Sequence, residues 1–171
     1  ARVRTNIASA ADYARRQGLT LRPHIKTHKS LAIARLQLEA GAAGLTVAKV
    51  GEAEVMAGLA IATDLLVAYP MLDPAGCQRL ATLARERTIR VATDNALSLD
   101  RLATAATEAG VTFGILIELD VGFGRTGVGS AESALALAER VKAAAGLRLD
   151  GLMCFPGHVW NSPAEQKPAL E

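Results

Sequence analysis

The feature of this sequence that most restricts its fold is a regular alternation of strand-like and helix-like segments. Runs rich in Val, Ile and Leu, such as "DLLVAY" and "FGILIELDV", are each followed by a segment whose apolar residues recur every three or four positions. This alternation predicts a parallel sheet with crossover helices, because neighbouring parallel strands need a long connection. The predicted strands lie at residues 20–26, 44–49, 64–69, 89–94, 113–121 and 147–155.

Two α/β architectures fit this pattern, an open doubly wound sheet and a (β/α)8 TIM-type barrel. About six strands are predicted where a closed barrel needs eight, so a barrel would be incomplete. The sequence opens with a predicted helix over residues 1–18, and another helix is predicted to begin at Ser162. We therefore expect residues 1–171 to be one domain of a larger protein, either a partial barrel or an open sheet.

Composition limits the partners and the compartment of the protein. A net charge of only +2 argues against nucleic acid or an acidic membrane surface as a partner. Cys77 and Cys154 are far apart and have no metal-type spacing, which favours a reducing compartment without disulfides. No apolar run approaches the ~20 residues needed to span a bilayer. We expect a cytoplasmic protein that binds neither nucleic acid nor a membrane.

The motif "RPHIKTHK" places several cations at the end of the first predicted strand. Arg22, His24 and Lys26 share one face of a strand. A lysine beside other cations is a good amine nucleophile because its ammonium form is disfavoured, which suits a Schiff base with an aldehyde. Alternatively, Lys26 and Lys29 are surface loop residues and the histidines cap the next helix. His24 and His28 are four positions apart, a spacing that places two metal ligands on one face of a helix. Because this segment is predicted to be a strand followed by a loop, no metal is predicted here.

The motif "ELDVGFGRTGV" (residues 118–128) places two carboxylates and an arginine around a glycine-rich turn. Glu118 and Asp120 lie on one face of the predicted strand, and the turn then presents Arg125. We expect a carboxylate to hold the guanidinium for binding an anion or a phenolate. The alternative is a glycine turn that carries a purely structural ion pair.

The motif "CFPGHVWN" (residues 154–161) follows the last predicted strand. Phe155 can offer a flat apolar face to a ring, and His158 is a candidate acid or base. The alternative for His158 is a hydrogen-bonded loop residue without a catalytic role.

The segments "RPHIKTHK", "AKVGEAEVMA", "VAYP", "ELDVGFGRTGV" and "GLMCFPGH" together resemble, in order and spacing, the D-threonine aldolase/D-serine dehydratase family. These are pyridoxal-phosphate enzymes with an alanine racemase-like barrel (fold type III). The resemblance implies that Lys26 holds the cofactor as an internal aldimine, and that Arg125 bonds its phenolic oxygen. It also places Phe155 against the pyridine ring, where related aldolases carry a tyrosine. His24 and Tyr69 are further expected cofactor-binding residues.

The same resemblance implies a lyase that acts on a small D-β-hydroxy amino acid. Aldol cleavage and dehydration are both open, as are D-threonine, D-serine and D-3-hydroxyaspartate as substrates. A non-catalytic pyridoxal-phosphate carrier and an amino-acid racemase are the alternatives, and a homodimer is left open. The family also implies a divalent metal held by a C-terminal β domain that this sequence does not contain. No metal ligand is therefore assigned, and the activity of the 171-residue chain alone is left open.

Overall fold

The computed structural model describes residues 1–59, 61, 64–162 and 165–166. The strands are β1 (Leu45–Val47), β2 (Asp64–Val67), β3 (Thr88–Thr93), β4 (Phe113–Leu119) and β5 (Leu147–Cys154). The helices are α1 (Arg2–Arg16), α2 (Leu31–Glu39), α3 (Val50–Ala57), α4 (Pro74–Ala84), α5 (Ala96–Ala109) and α6 (Ala131–Ala143). Among the described residues, no helix combines the length and the apolar character that crossing a membrane requires.

All strand pairs are parallel, and the order in the five-stranded sheet is β1-β2-β3-β4-β5. Each strand therefore pairs with its neighbours in sequence, and the sheet is wound in one direction. A doubly wound sheet would instead reverse its strand order at one point. The order confirms the predicted incomplete (β/α)8 barrel.

The first predicted strand, residues 20–26, is wrong as a strand. Only His24 forms a bridge, parallel to Thr46 of β1, and the carbonyl of Pro23 accepts a hydrogen bond from the Thr46 amide (2.8 Å). Pro23 has no amide hydrogen to continue a ladder. The chain then enters a 3-10 turn, Ile25–Thr27. The segment lies beside β1, so its side chains still reach the edge of the sheet where β1 ends.

Short polar side chains mark the beginning of most of the described helices. In four helices the N-cap side chain accepts a hydrogen bond from a first-turn amide. These caps are Ser30 in α2, Asp73 in α4, Asn95 in α5 and Ser130 in α6. The helix predicted to begin at Ser162 falls largely outside the described residues.

The two faces of the sheet differ in chemistry. One face contributes fully or nearly fully buried apolar side chains to the core that the helices cover: Leu45, Val47, Leu65, Val67, Ile89, Val91, Phe113, Ile115 and Ile117. The opposite face carries linked ion pairs formed by Arg22, Asp64, Arg90, Arg148 and Asp150. Close packing there requires Gly114, because a Cβ at that position would overlap the Asp150 carboxylate. The inner face of the partial barrel is thus polar below the ends of the strands.

Candidate functional site

A cavity of about 720 Å³ opens beside the ends of β1, β2, β4 and β5. It brings together all five residues predicted to bind a cofactor, although they are up to 131 positions apart: His24, Lys26, Tyr69, Arg125 and Phe155. Four of its other lining residues are Arg22, Thr46, Thr126 and Cys154. Parallel strands align their carboxyl ends, and this is the edge where barrel enzymes collect functional side chains.

Lys26 reaches the cavity because the 3-10 turn separates its side chain from the core. Ile25 is fully buried, whereas Lys26 is exposed. The Lys26 amide donates to Nδ1 of His24 (3.3 Å), and the Lys29 amide closes the turn on the Ile25 carbonyl (2.8 Å). Among the described ion pairs none includes Lys26. Its amine is therefore available to a molecule in the cavity.

The surroundings of His24 favour its neutral form. Burial, and then the positive charge of Lys26, lower the pKa of its imidazole below the usual value, although Glu52 opposes this change. A neutral His24 keeps its Nδ1 as an acceptor for the Lys26 amide. The imidazole therefore shapes the lysine turn without adding a charge to the cavity.

The two alternatives considered for the basic motif divide between its residues. His28 does not cap α2 as predicted: the N-cap is Ser30, and Nδ1 of His28 accepts from the Ser30 amide (3.0 Å) in the preceding loop. Lys29 pairs with Glu52 (3.1 Å) and adopts a left-handed backbone with φ 47°. His24 and Lys26, in contrast, line the cavity. His28 and Lys29 therefore make local structural contacts, whereas a functional role for His24 and Lys26 at the cavity stays a prediction.

The predicted pairing of Arg125 with a neighbouring carboxylate is wrong. Asp120 instead accepts hydrogen bonds from the amides of Gly122 and Gly124 (both 3.0 Å), and those bonds lower the pKa of its carboxyl. Glu118, which is 2% exposed, accepts from the Thr126 hydroxyl (2.7 Å). The turn brings these donors closer to the acids than the arginine, so both carboxylates stabilise the turn itself.

Arg125 is held by aromatic rings instead. Its guanidinium carbon lies 4.5 Å from the ring centre of Phe155 and 5.6 Å from that of Phe123. Stacking of this kind uses the flat face of the guanidinium and leaves its N–H groups at the edge. None of the described ion pairs uses Arg125, so those N–H groups can bind an anionic ligand.

His158 lies beside this cluster but does not line the cavity. Its ring stacks on Phe123, with 6.3 Å between ring centres and 17° between the planes. Phe123 in turn meets Phe155 edge to face at 5.7 Å. Among the described residues Nδ1 of His158 is buried and has no hydrogen-bond partner, so the hydrogen-bonded role proposed as the alternative is not observed at that atom. Sequence reasoning missed Phe123, whose only signal was an aromatic residue among the glycines of the turn.

The cavity suits a flat, anionic molecule that carries a carbonyl group. It contains no aspartate or glutamate among its lining residues, and Arg22 is already paired with Asp64 (2.9 Å). Lys26 and Arg125 supply the remaining positive charge, and the ring of Phe155 is 46% exposed. Pyridoxal phosphate has these properties, so the residues present fit that cofactor. Elsewhere in the described part of the chain, no group of three or more His, Cys, Asp or Glu could hold a metal ion.

Comparison with known proteins gives consistent matches over almost the whole chain. Residues 1–170 match the family described as alanine racemase, N-terminal domain. The chain is 36% identical to a D-threonine aldolase from an Arthrobacter species over 164 residues, which is 96% of this chain and 43% of that protein.

Solved structures agree with the sequence matches. The crystal structure of D-threonine aldolase from Filomicrobium marinum superposes with a TM-score of 0.85 at 35% identity, covering 88% of this chain and 40% of that one. The D-threo-3-hydroxyaspartate dehydratase from Delftia sp. HT23 also gives 0.85, at 32% identity, covering 98% of this chain and 45% of that one. The chain thus spans less than half the length of these relatives.

Proposed function

The chain belongs to the alanine racemase N-terminal domain family, and its motifs resemble those of the D-threonine aldolase/D-serine dehydratase family; we propose that its cavity binds pyridoxal 5'-phosphate. The observation that carries the proposal is the meeting of Lys26, Arg125 and Phe155 at one cavity. An unpaired lysine, an arginine with open N–H groups and an exposed ring match three different parts of the cofactor: its aldehyde, its phenolic oxygen and its pyridine ring.

Each residue has a distinct role in this proposal. Lys26 would hold the cofactor through its aldehyde carbon, with the aldehyde oxygen leaving as water, since a neutral primary amine is the nucleophile that this bond needs. Arg125 would donate to the phenolic oxygen, and Phe155 would pack against the pyridine ring. His24 holds the backbone of the lysine turn, and Tyr69 borders the same space. When bound, pyridoxal phosphate supplies an electron sink for negative charge at Cα of an amino acid.

We propose a D-β-hydroxy amino acid as the substrate and lyase chemistry as the reaction. Relatives named as aldolases and as dehydratases both match the chain at 35–36% identity. Both reactions need the same features from this cavity, namely an attached cofactor and positive charge for a carboxylate. Because the chain spans less than half of these relatives, we propose that turnover belongs to a complete barrel with a C-terminal β domain. Residues 1–171 would contribute the cofactor-binding part.

The proposal is tested by trapping the lysine adduct. The chain is incubated with pyridoxal phosphate, reduced with borohydride and digested, and the modified lysine is located by mass spectrometry. We expect selective modification of Lys26. Lys29 is the matched control, because it is exposed and only three positions away but is paired with Glu52. Lys26→Ala should abolish the adduct and Lys29→Ala should retain it. Modification of Lys29 to the same extent as Lys26 would contradict the proposed attachment.

Turnover assays then separate the proposed lyase from its rivals. The whole protein is given D-threonine and D-serine, and glycine, aldehyde, keto acid and ammonia are measured together with the chirality of the remaining substrate. Aldehyde or keto acid supports the lyase. Loss of chirality without these products indicates a racemase, and an adduct without any turnover indicates a carrier.

A further inference from the structure

We propose that Asp94, which follows β3, is a positioning residue for Arg125: its carboxylate fixes the turn that presents the guanidinium to the cavity. The proposal rests on the proposed function for the identity of the ligand that Arg125 meets. It does not depend on that function for the contact itself, because Asp94 accepts a hydrogen bond from the amide of Gly127 at 2.9 Å.

The turn at residues 120–128 is closed by bonds that its own strand supplies. The Asp120 amide donates to the Val128 carbonyl (3.0 Å), and the Val128 amide donates to the Glu118 carbonyl (2.9 Å). The Glu118 carboxylate binds the Thr126 hydroxyl. These contacts all lie between β4 and the turn that continues it. They define the shape of the turn but do not connect it to the neighbouring strand β3.

Asp94 connects the turn to the end of β3. It lies 33 positions before Gly127 in sequence, and its contact crosses from the end of β3 to the far end of the turn. Its other carboxylate oxygen accepts from the side-chain amide of Asn95 (2.8 Å), and Asn95 also caps α5 through the Ser98 amide (2.9 Å). One oxygen of the carboxylate is therefore oriented by Asn95, and the other is left to accept from the turn.

Gly127 is the residue that allows this contact. Its φ is +109°, a left-handed conformation that side chains rarely adopt, and a Cβ would overlap the backbone of Asp120. The turn is thus closely packed at the point where its amide faces Asp94. Glycine at this position lets the turn pack against β4 while its amide binds Asp94, and this contact fixes the orientation of the segment that carries Arg125.

Arg125 has no charged partner among the described residues, so its position depends on its contacts with Phe155 and Phe123 and on the orientation of the turn that carries it. It lies two positions before Gly127, and its guanidinium stands 4.5 Å from the ring centre of Phe155. A misplacement of about 1 Å in a catalytic site costs on the order of 100-fold in rate. A loss of the Asp94 contact would therefore be transmitted to ligand binding through the position of Arg125.

The first test measures the turn without any ligand. Hydrogen exchange of residues 121–128 is compared in the parent chain, Asp94→Ala and Asp94→Asn. The asparagine keeps an oxygen that can accept from Gly127, so it should stay close to the parent. Asp94→Ala should exchange at least about tenfold faster, as expected for loss of a hydrogen bond to a charged group. Asp73→Ala, which removes a carboxylate cap from α4, is the control and should leave these residues unchanged. Equal exchange in Asp94→Ala and the parent would overturn the proposal.

The second test measures the effect on Arg125 by a double-mutant cycle. Pyridoxal phosphate affinity is measured from the absorbance of the Lys26 adduct in the parent, Asp94→Ala, Arg125→Ala and the double variant. We expect Asp94→Ala to weaken pyridoxal phosphate binding about tenfold when Arg125 is present, but less than about twofold when Arg125 is already replaced by alanine. The two effects are not additive, because Asp94 acts on the ligand through Arg125. Asp94→Asn should bind within about threefold of the parent. Equal losses in both backgrounds would overturn the role of Asp94. An absence of adduct in the parent would instead refute the proposed function. The hydrogen-exchange comparison would still show whether Asp94 fixes the turn.

Discussion

Replacement of Asp150 by asparagine should destabilise the chain more than the loss of any ordinary surface charge. Asp150 binds Arg90 (2.6 Å) and Arg148 (2.5 Å) on the polar face of the sheet, and its side chain is 11% exposed. Arg90 is 25% exposed and also pairs with Asp64, which in turn binds Arg22. The substitution keeps the shape of the side chain but leaves two guanidinium groups with one carboxylate fewer.

The size of the effect follows from the burial of the partners. Breaking a fully buried ion pair costs about 3–5 kcal/mol, because an uncompensated charge stays in the interior. Arg148 is 54% exposed and keeps much of its hydration, so we expect Asp150→Asn to lower the free energy of unfolding by about 2 kcal/mol. A chain of this length changes its Tm by about 2–4 °C per kcal/mol, which gives a decrease of about 4–8 °C.

The pH dependence has a definite sign. The hydrogen bond from Arg148, and then that from Arg90, lowers the pKa of the Asp150 carboxyl below its usual range. A carboxyl whose folded pKa lies below its unfolded value of about 3.9 stabilises the protein above that pH. This stabilisation is lost as the pH falls through the folded pKa. The difference between the parent and Asp150→Asn should therefore be full near neutral pH and shrink in acid.

Urea unfolding followed by circular dichroism measures the difference at each pH. The matched control is Asp100→Asn, which breaks a pair with Arg140 at 2.7 Å whose side chains are 53% and 49% exposed. Exposed pairs contribute less than about 1 kcal/mol, so this variant should stay close to the parent. Equal losses in the two variants, or a loss for Asp150→Asn that does not change with pH, would refute the reasoning.

Three further predictions concern packing, thiol reactivity and the lysine turn. Gly114→Ala should lower the free energy of unfolding by about 1–3 kcal/mol, because its Cβ would overlap the Asp150 carboxylate. The control Gly51→Ala meets open space and should not lower it. Equal urea midpoints for the two variants would contradict this prediction. Alkylation near pH 8, followed by mass spectrometry, should modify the exposed Cys154 before Cys77, because burial raises the pKa of the Cys77 thiol to about 11. Pyridoxal phosphate should protect Cys154, which lines the cavity. Faster modification of Cys77 would be the contrary result. The folded pKa of His24 is lowered, so its contribution to stability is present above its unfolded pKa of about 6.5 and is lost as the pH falls. Between about pH 7.5 and 5, the free energy of unfolding of His24→Gln should therefore decrease less than that of the parent. Parallel plots of unfolding free energy against pH would disprove the assignment.

Much of the fold could be predicted from neighbouring residues alone. The apolar periodicity of "CQRLATLA" and the cap Asp73 define α4 within a few positions, and the burial of Cys77 and Leu80 agrees with that pattern. The same holds for α5, whose cap Asn95 and left-handed Gly110 mark both ends. These signals are local, since a helix bond joins residues four apart and a cap acts within one turn. The strand at residues 20–26 was wrong because Pro23 interrupts the ladder.

The residues that line the cavity could be proposed from motifs, but their partners could not. Lys26, Arg125 and Phe155 belong to the three motifs, and the cofactor roles that the family resemblance implies for them stay predictions, although the structure brings them to one cavity. The carboxylate partner proposed for Arg125 was wrong, because nearer backbone donors occupy Asp120. Phe123 gave no signal that distinguished it from any aromatic residue in a loop.

The sequence pattern by itself determined the α/β class and the strand ends at which functional side chains gather, whereas the single direction of chain winding was established by the strand order of the folded sheet. Only the tertiary structure decided which distant groups meet. Asp150 reaches Arg90, 60 positions away, from a break in register where Ile115 and Leu116 pair with Leu149 and Gly151. A bulge of this kind adds one unpaired residue and redirects its side chain. The physical reason is that periodicity and caps depend on bonds within one turn, whereas such contacts depend on the register between strands, which is set only when the whole sheet packs.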